Sequence, residues 1–281
     1  MDTHEHDLGL LHDLAVMRRH PSFDRRAALR VLGVAGAGLV LVACGKDKSS
    51  SASATTTSPP TSPTTTSGGT GSTSVTTRAP TETGGPYPGD GSNGPDALHD
   101  SGVVRSDITK SFGKYSGTAT GVPLTIDLTV VKAATGAAYS GAAVYLWHCD
   151  AQGRYSLYSA GATTQNHCRG VQAADATGKL TFKTVFPACY AGRWPHLHYE
   201  VFPSLTEMSS SARVLTSQIA LPASDCKNVY ADASAYPQSA GNLRGVSLQS
   251  DMVFADSYQQ EMGVTSGEPS SGYTLGFTVV A

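Results

Sequence analysis

Residues 124–130 read LTIDLTV, in which Leu124, Ile126, Leu128 and Val130 alternate with Thr125, Asp127 and Thr129. Successive side chains of a strand point to opposite faces, so this stretch is a strand with one buried face. The alternation returns at Leu180, Phe182, Thr184 and Phe186, after a turn at Gly178. Residues 143–149, 196–202, 214–221 and 273–280 add further short strands at sandwich-like spacing. Only residues 224–233 read as helical. With 30 glycines and 15 prolines among 281 residues, the chain is expected to fold as an all-β domain, a β-sandwich of mostly antiparallel strands with few short helices.

Upstream of this block the composition changes. Arg25 and Arg26 precede residues 27–43, an apolar run broken only by Arg30, and the run ends in Leu41-Val42-Ala43-Cys44. The pattern resembles a twin-arginine export signal closed by a bacterial lipobox, with Cys44 as the lipid-bearing first residue of the mature chain. From Ser49 to Thr77 every residue except Val75 is Ser, Thr, Pro, Gly or Ala, which cannot build a core. The expected organisation is therefore a signal at 1–43, a lipidated tether at 44–82 and a folded domain at 83–281. The protein is expected outside the cytoplasm, on the outer face of the bacterial cell membrane, touching that membrane only through its lipid.

A formal net charge of −2 supplies no basic surface for a polyanion, so no nucleic-acid partner is expected. With Cys44 taken by lipid, Cys149, Cys168, Cys189 and Cys226 remain, an even number in an oxidising compartment. Two disulfides are expected, with three pairings open. The absence of any CxxC spacing argues against zinc.

The chemistry concentrates in residues 195–202, PHLHYEVF. On a strand, His196 and His198 share one face while Leu197, Tyr199 and Val201 take the apolar one. Two imidazoles at i and i+2 can converge on one metal ion, although a bare HxH also fits two polar residues on a solvated face. Their company is Tyr155, inside GRYS, and Tyr190 and Arg193, just ahead of the histidines.

These motifs carry a likeness. GAAVYLWHCDAQGRYS (141–156) and RGVQAADATGKLTFKTVFPACYAGRWPHLHYEVF (169–202), with ETGGPYPGDGSNGPD (82–96) and TSQIALP (216–222), resemble the intradiol ring-cleavage dioxygenases, in particular their secreted, lipoprotein-like bacterial members. The resemblance implies non-haem Fe3+ held by Tyr155, Tyr190, His196 and His198. Phenolate is a hard anionic donor that suits ferric iron, and a trivalent cation can deprotonate a tyrosine whose free pKa is near 10. The implied substrates are a catecholic aromatic and O2. Ring opening between the hydroxyl-bearing carbons would give a muconate-type dicarboxylic acid, with Tyr190 displaced as proton acceptor, Arg193 facing the developing negative charge, and Gln218 as the active-site glutamine.

The chain departs from the family in placing Ala188-Cys189 where secreted relatives carry Gly-Trp, and in lacking the dimerisation helices of the cytoplasmic enzymes, so dimerisation by that route is not expected. Two rival readings are a ferrous site of His196, His198 and Glu200, and a tethered binding module with a vestigial metal site.

Overall fold

Sheet order follows the apolar alternation. The computed structural model describes residues 77–281; the expected export signal, Cys44 and the expected tether up to residue 76 lie outside the described residues. Among the described residues, eight strands form two four-stranded sheets. In the first, β4 (Lys179–Val185) pairs antiparallel with β1 (Pro123–Val131), which pairs parallel with β8 (Gly272–Val280), and β8 pairs antiparallel with the edge strand β7 (Val264–Glu268). In the second the order is β3 (Arg169–Ala173), β2 (Ala143–Trp147), β5 (His196–Phe202), β6 (Leu215–Ala220), antiparallel throughout. The all-β sandwich read from the sequence is therefore the observed fold.

Leu124, Ile126, Leu128 and Val130 are all buried, as the alternation requires. They share one apolar core with Leu180 and Phe182 of β4, Val144 and Leu146 of β2, and Leu197, Tyr199 and Val201 of β5. Burying a side chain of this size contributes roughly 1.5–3 kcal/mol, which is what holds the two sheets together. Among the described residues no helix is long and apolar enough to cross a membrane.

Helices α1 (Ala223–Val229), α2 (Ser239–Arg244) and α3 (Tyr258–Glu261) are all short. Only the first lies where the sequence suggested a helix; the others are too brief to show a 3.6-residue period. Strands β3 and β7 were also missed.

The strand β5 shows a difference with consequences for the site: all seven of its residues are buried. One face looks into the sandwich core. The other, bearing His196, His198 and Glu200, is roofed by the N-terminal segment. Glu82 donates its N–H to Thr216 O at 2.8 Å, Tyr145 Oη donates to Pro88 O at 2.7 Å, and Gly89 N–H donates to Tyr158 Oη at 2.8 Å. The fully buried Arg169 completes the roof, donating to Pro88 O at 3.0 Å, Ser156 O at 2.9 Å and Ser156 Oγ at 3.1 Å.

The two expected disulfides are absent: Cys149, Cys168, Cys189 and Cys226 are all free and buried. The Cys149 sulfur faces the carbonyl of Ala188 and that of Cys189 the carbonyl of Arg193, both at 3.5 Å. Burial raises all four thiol pKa values, that of Cys189 to about 12, so they pack as small hydrophobes with a weak donor. An even count carries no information about position, which is why the arithmetic misled.

Candidate metal centre

Strand register assembles one row across the outer face of the second sheet. Arg169 pairs with Trp147, Trp147 with His198, and His198 with Gln218. His196 lies one repeat along β5, on the same face. Tyr155 arrives from a turn built by Asp150, whose Oδ1 accepts the N–H groups of Gln152 and Arg154, each at 2.9 Å. Gly153 allows the bend by adopting φ of 81°. Tyr155 N–H then donates to Ser159 Oγ at 2.9 Å, fixing the phenol beneath the Tyr87 ring at a centroid distance of 4.9 Å. Tyr190 lies outside any helix or strand, in the segment leading to β5.

The four side chains meet. His196 Nε2 is 3.1 Å from His198 Nε2, Tyr155 Oη is 3.3 Å from His198 Nε2, and Tyr190 Oη is 3.3 Å from His196 Nε2. The Tyr155 and Tyr190 rings meet edge to face, with centroids 6.0 Å apart. All four residues are buried. Metal–ligand bonds of about 2.0–2.1 Å at angles of 90–110° put neighbouring donors about 2.8–3.4 Å apart, so the spacing suits a single ion.

Protonation states fit as well. Burial, then the charge of Arg193, drives His196 well below the ordinary histidine range; burial, then His196 and Arg193, does the same for His198. Both are therefore neutral and carry a lone pair. His196 Nδ1 lies 2.5 Å from Trp194 O, so Nδ1 holds the proton and Nε2 is the free donor. Burial, then Tyr190, raises Tyr155 well above the ordinary phenol pKa, so the buried phenol needs a strong cation to ionise. The residues present fit a hard, highly charged ion.

Arg193 and Gln218 join this group. The Arg193 guanidinium is 1% exposed and donates from Nε to Asp251 Oδ2 at 2.9 Å and from Nη2 to Gln218 Oε1 at 2.7 Å. Gln218 Nε2 in turn donates to Thr83 O at 2.9 Å. Burial opposes the charge on Arg193, but Asp251, with the two tyrosines, keeps its pKa raised.

Glu200 does not join. Its Oε1 is held by Arg213 and lies 3.3 Å from Thr216 Oγ1, beside a 210 Å³ cavity lined also by Asp90, Leu98, Phe202 and Met208. Among the described residues no cluster of three or more His, Cys, Asp and Glu side chains can hold an ion. The ferrous triad is thus not formed, because Arg213 claims the carboxylate. Trp147, Gly85, Arg169 and Asp251 were not singled out from the sequence. Strand register brings the first and third to the histidines, whereas Asp251 lies 58 residues from Arg193 with no local signal.

Comparison with known proteins bears on the fold. Residues 93–202 match the Dioxygenase family model, a span that includes Tyr155, Tyr190, Arg193, His196 and His198 and ends before Gln218. An intradiol ring-cleavage dioxygenase from Tetranychus urticae is 22% identical with a TM-score of 0.58, covering 73% of this chain and 94% of its own. A second solved dioxygenase, Tetur07g02040, is also 22% identical with a TM-score of 0.58, covering 73% of this chain and 93% of its own. The dioxygenase domain of a carbohydrate-binding fusion protein from Streptomyces sp. SirexAA-E is 21% identical with a TM-score of 0.46, covering 73% and 98%. No curated protein matched the sequence. Residues 93–202 thus match the Dioxygenase family model, and the chain shares the fold of the intradiol ring-cleavage dioxygenase from Tetranychus urticae.

Proposed function

We propose that the chain is a non-haem ferric dioxygenase that opens catechol-type rings between the two hydroxyl-bearing carbons, yielding muconate-type dicarboxylic acids. The observation that carries this reading is the convergence of two phenols and two imidazoles in a buried site, linked in a row by contacts of 3.1–3.3 Å. Tyr155, Tyr190, His196 and His198 would hold the ion. Bound Fe3+ would supply Lewis acidity, drawing electron density from a chelated catecholate so that a ring carbon becomes open to O2.

The two tyrosines are held differently. Tyr155 sits 1% exposed between the Tyr87 and Tyr190 rings, anchored by a turn on one side and the roof on the other. Tyr190 is 7% exposed and is followed by Gly192 at φ of 83°. It is the phenol that would swing aside, and its oxygen would take the proton that a catechol hydroxyl gives up on binding. Arg193 would face the negative charge that develops on substrate oxygen, held by Gln218. Burial of all four donors excludes bulk water, which strengthens every charge interaction inside.

The localisation proposed for this activity is extracytoplasmic, with the domain tethered through Cys44 to the outer membrane face. Oxygen uptake by the iron-loaded protein across a panel of diphenols tests the function. One O2 consumed per ring, with a dicarboxylic acid product, supports it. An iron-replete protein that consumes no O2 with any diphenol, yet binds phenolics, would favour a binding module instead.

A further inference from the structure

Arg193 is a buried cation, and taking such a group out of water is costly unless a counter-charge accompanies it. Asp251 supplies that charge from a distant part of the chain, and all its acceptor capacity is engaged. Oδ2 accepts from Arg193 Nε at 2.9 Å and from Trp194 N–H at 2.7 Å. Oδ1 accepts from Val253 N–H at 2.8 Å and Phe254 N–H at 3.2 Å. Those last two bonds set the turn that places the Phe254 ring 5.9 Å from Arg193 Cζ and 6.2 Å from the His196 ring.

We propose that Asp251 is a positioning residue for the ring-cleavage reaction, acting by fixing the plane and the charge of Arg193. This rests on the functional reading above. The guanidinium is planar, so two bonds on different nitrogens, Nε to Asp251 and Nη2 to Gln218, determine its orientation. Gln218 is neutral; the charge comes from Asp251 alone of the two.

The test is a kinetic cycle on the full-length iron-loaded protein, comparing Asp251→Asn, Arg193→Gln and the double variant. Asp251→Asn should lower kcat by about 10–100-fold, in the manner of outer-shell partners, with iron stoichiometry and visible spectrum kept and KM changed much less. Adding Asp251→Asn to Arg193→Gln should then cost under about threefold more, because the residue acts through an arginine already gone. Losses that multiply would overturn the proposal. Asp251→Glu, which keeps the charge, should recover most of the rate; a rate as low as that of Asp251→Asn would count against it.

A second readout needs no turnover. In iron-free protein the Nε–H of Arg193 should exchange slowly with solvent by nuclear magnetic resonance, and rapidly in Asp251→Asn. Fast exchange in the wild type would overturn the assignment even if the variants fail to fold. Slow exchange combined with no activity on any diphenol would instead leave the Asp251–Arg193 coupling in place and remove the ring-cleavage reading.

Discussion

The indole of Trp147 lies flat on the imidazole of His198, with ring centroids 5.0 Å apart and planes within 5° of parallel. The two residues are cross-strand partners of β2 and β5. Metal-binding histidines usually fix their orientation by donating the second ring nitrogen to a carbonyl or carboxylate. His196 has such a contact, to Trp194 O, but His198 Nδ1 has no hydrogen-bond partner among the described residues. The stack on Trp147 takes the place of that hydrogen bond.

Replacing Trp147 by Leu should therefore lower iron affinity by about tenfold, within the range for lost outer-shell support. Trp147→Phe, which keeps a ring in the stack, should lose much less. Competition with a chelator measures both, and equal affinity in all three proteins would show that the indole only fills space.

Gly85 bounds His198 on another side. Its φ is 71°, and a Cβ added there would stand 3.0 Å from His198 Cε1. Gly85→Ala should cost about 1–2 kcal/mol of stability through backbone strain and should weaken iron binding by displacing the ring. Thermal unfolding and chelator competition read the two effects separately; an unaltered iron affinity would mean that the roof, not the imidazole, gives way.

Glu261 sets a pH dependence away from the ligands. It is fully buried, its Oε1 lacks a partner among the described residues, and Ser257 Oγ donates to Oε2 at 2.8 Å. Burial raises its pKa from 4.5 to about 7, with Ser257 and Arg193 opposing and Asp256 and Asp251 assisting. Folding then takes up a proton, so the contribution is whole below pH 4.5 and is lost as pH rises through 7. Relative to Glu261→Gln, the wild type should lose up to about 3 kcal/mol between pH 5 and 8.5, at roughly 1.4 kcal/mol per pK unit. Urea unfolding at the two pH values checks this, and parallel pH profiles would refute it.

The strands legible in the sequence are those whose apolar residues alternate over five or more positions, as in β1 and β4, that carry a continuous apolar run, as in β2, or that hold several β-branched and aromatic residues in a short stretch, as in β8. β7 is an exposed edge strand, burying no alternating face, and β3 begins with a buried arginine, so neither leaves the expected pattern. The HxH face was readable as a shared face, but not as a covered one, because its roof comes from residues 82–90 far along the chain. Tyr155, Tyr190, His196 and His198 were found because motifs mark them. Trp147 and Gly85 lie against His198, and Asp251 against Arg193, through packing and register, which leave no local trace.

The most direct test of the account is the visible spectrum of the protein loaded with Fe3+, compared with Tyr155→Phe and Tyr190→Phe at equal iron content. The account predicts one ferric ion per chain and an intense phenolate-to-iron charge-transfer band, weakened in each variant. Bound iron without that band, or a band unchanged in both variants, would contradict it.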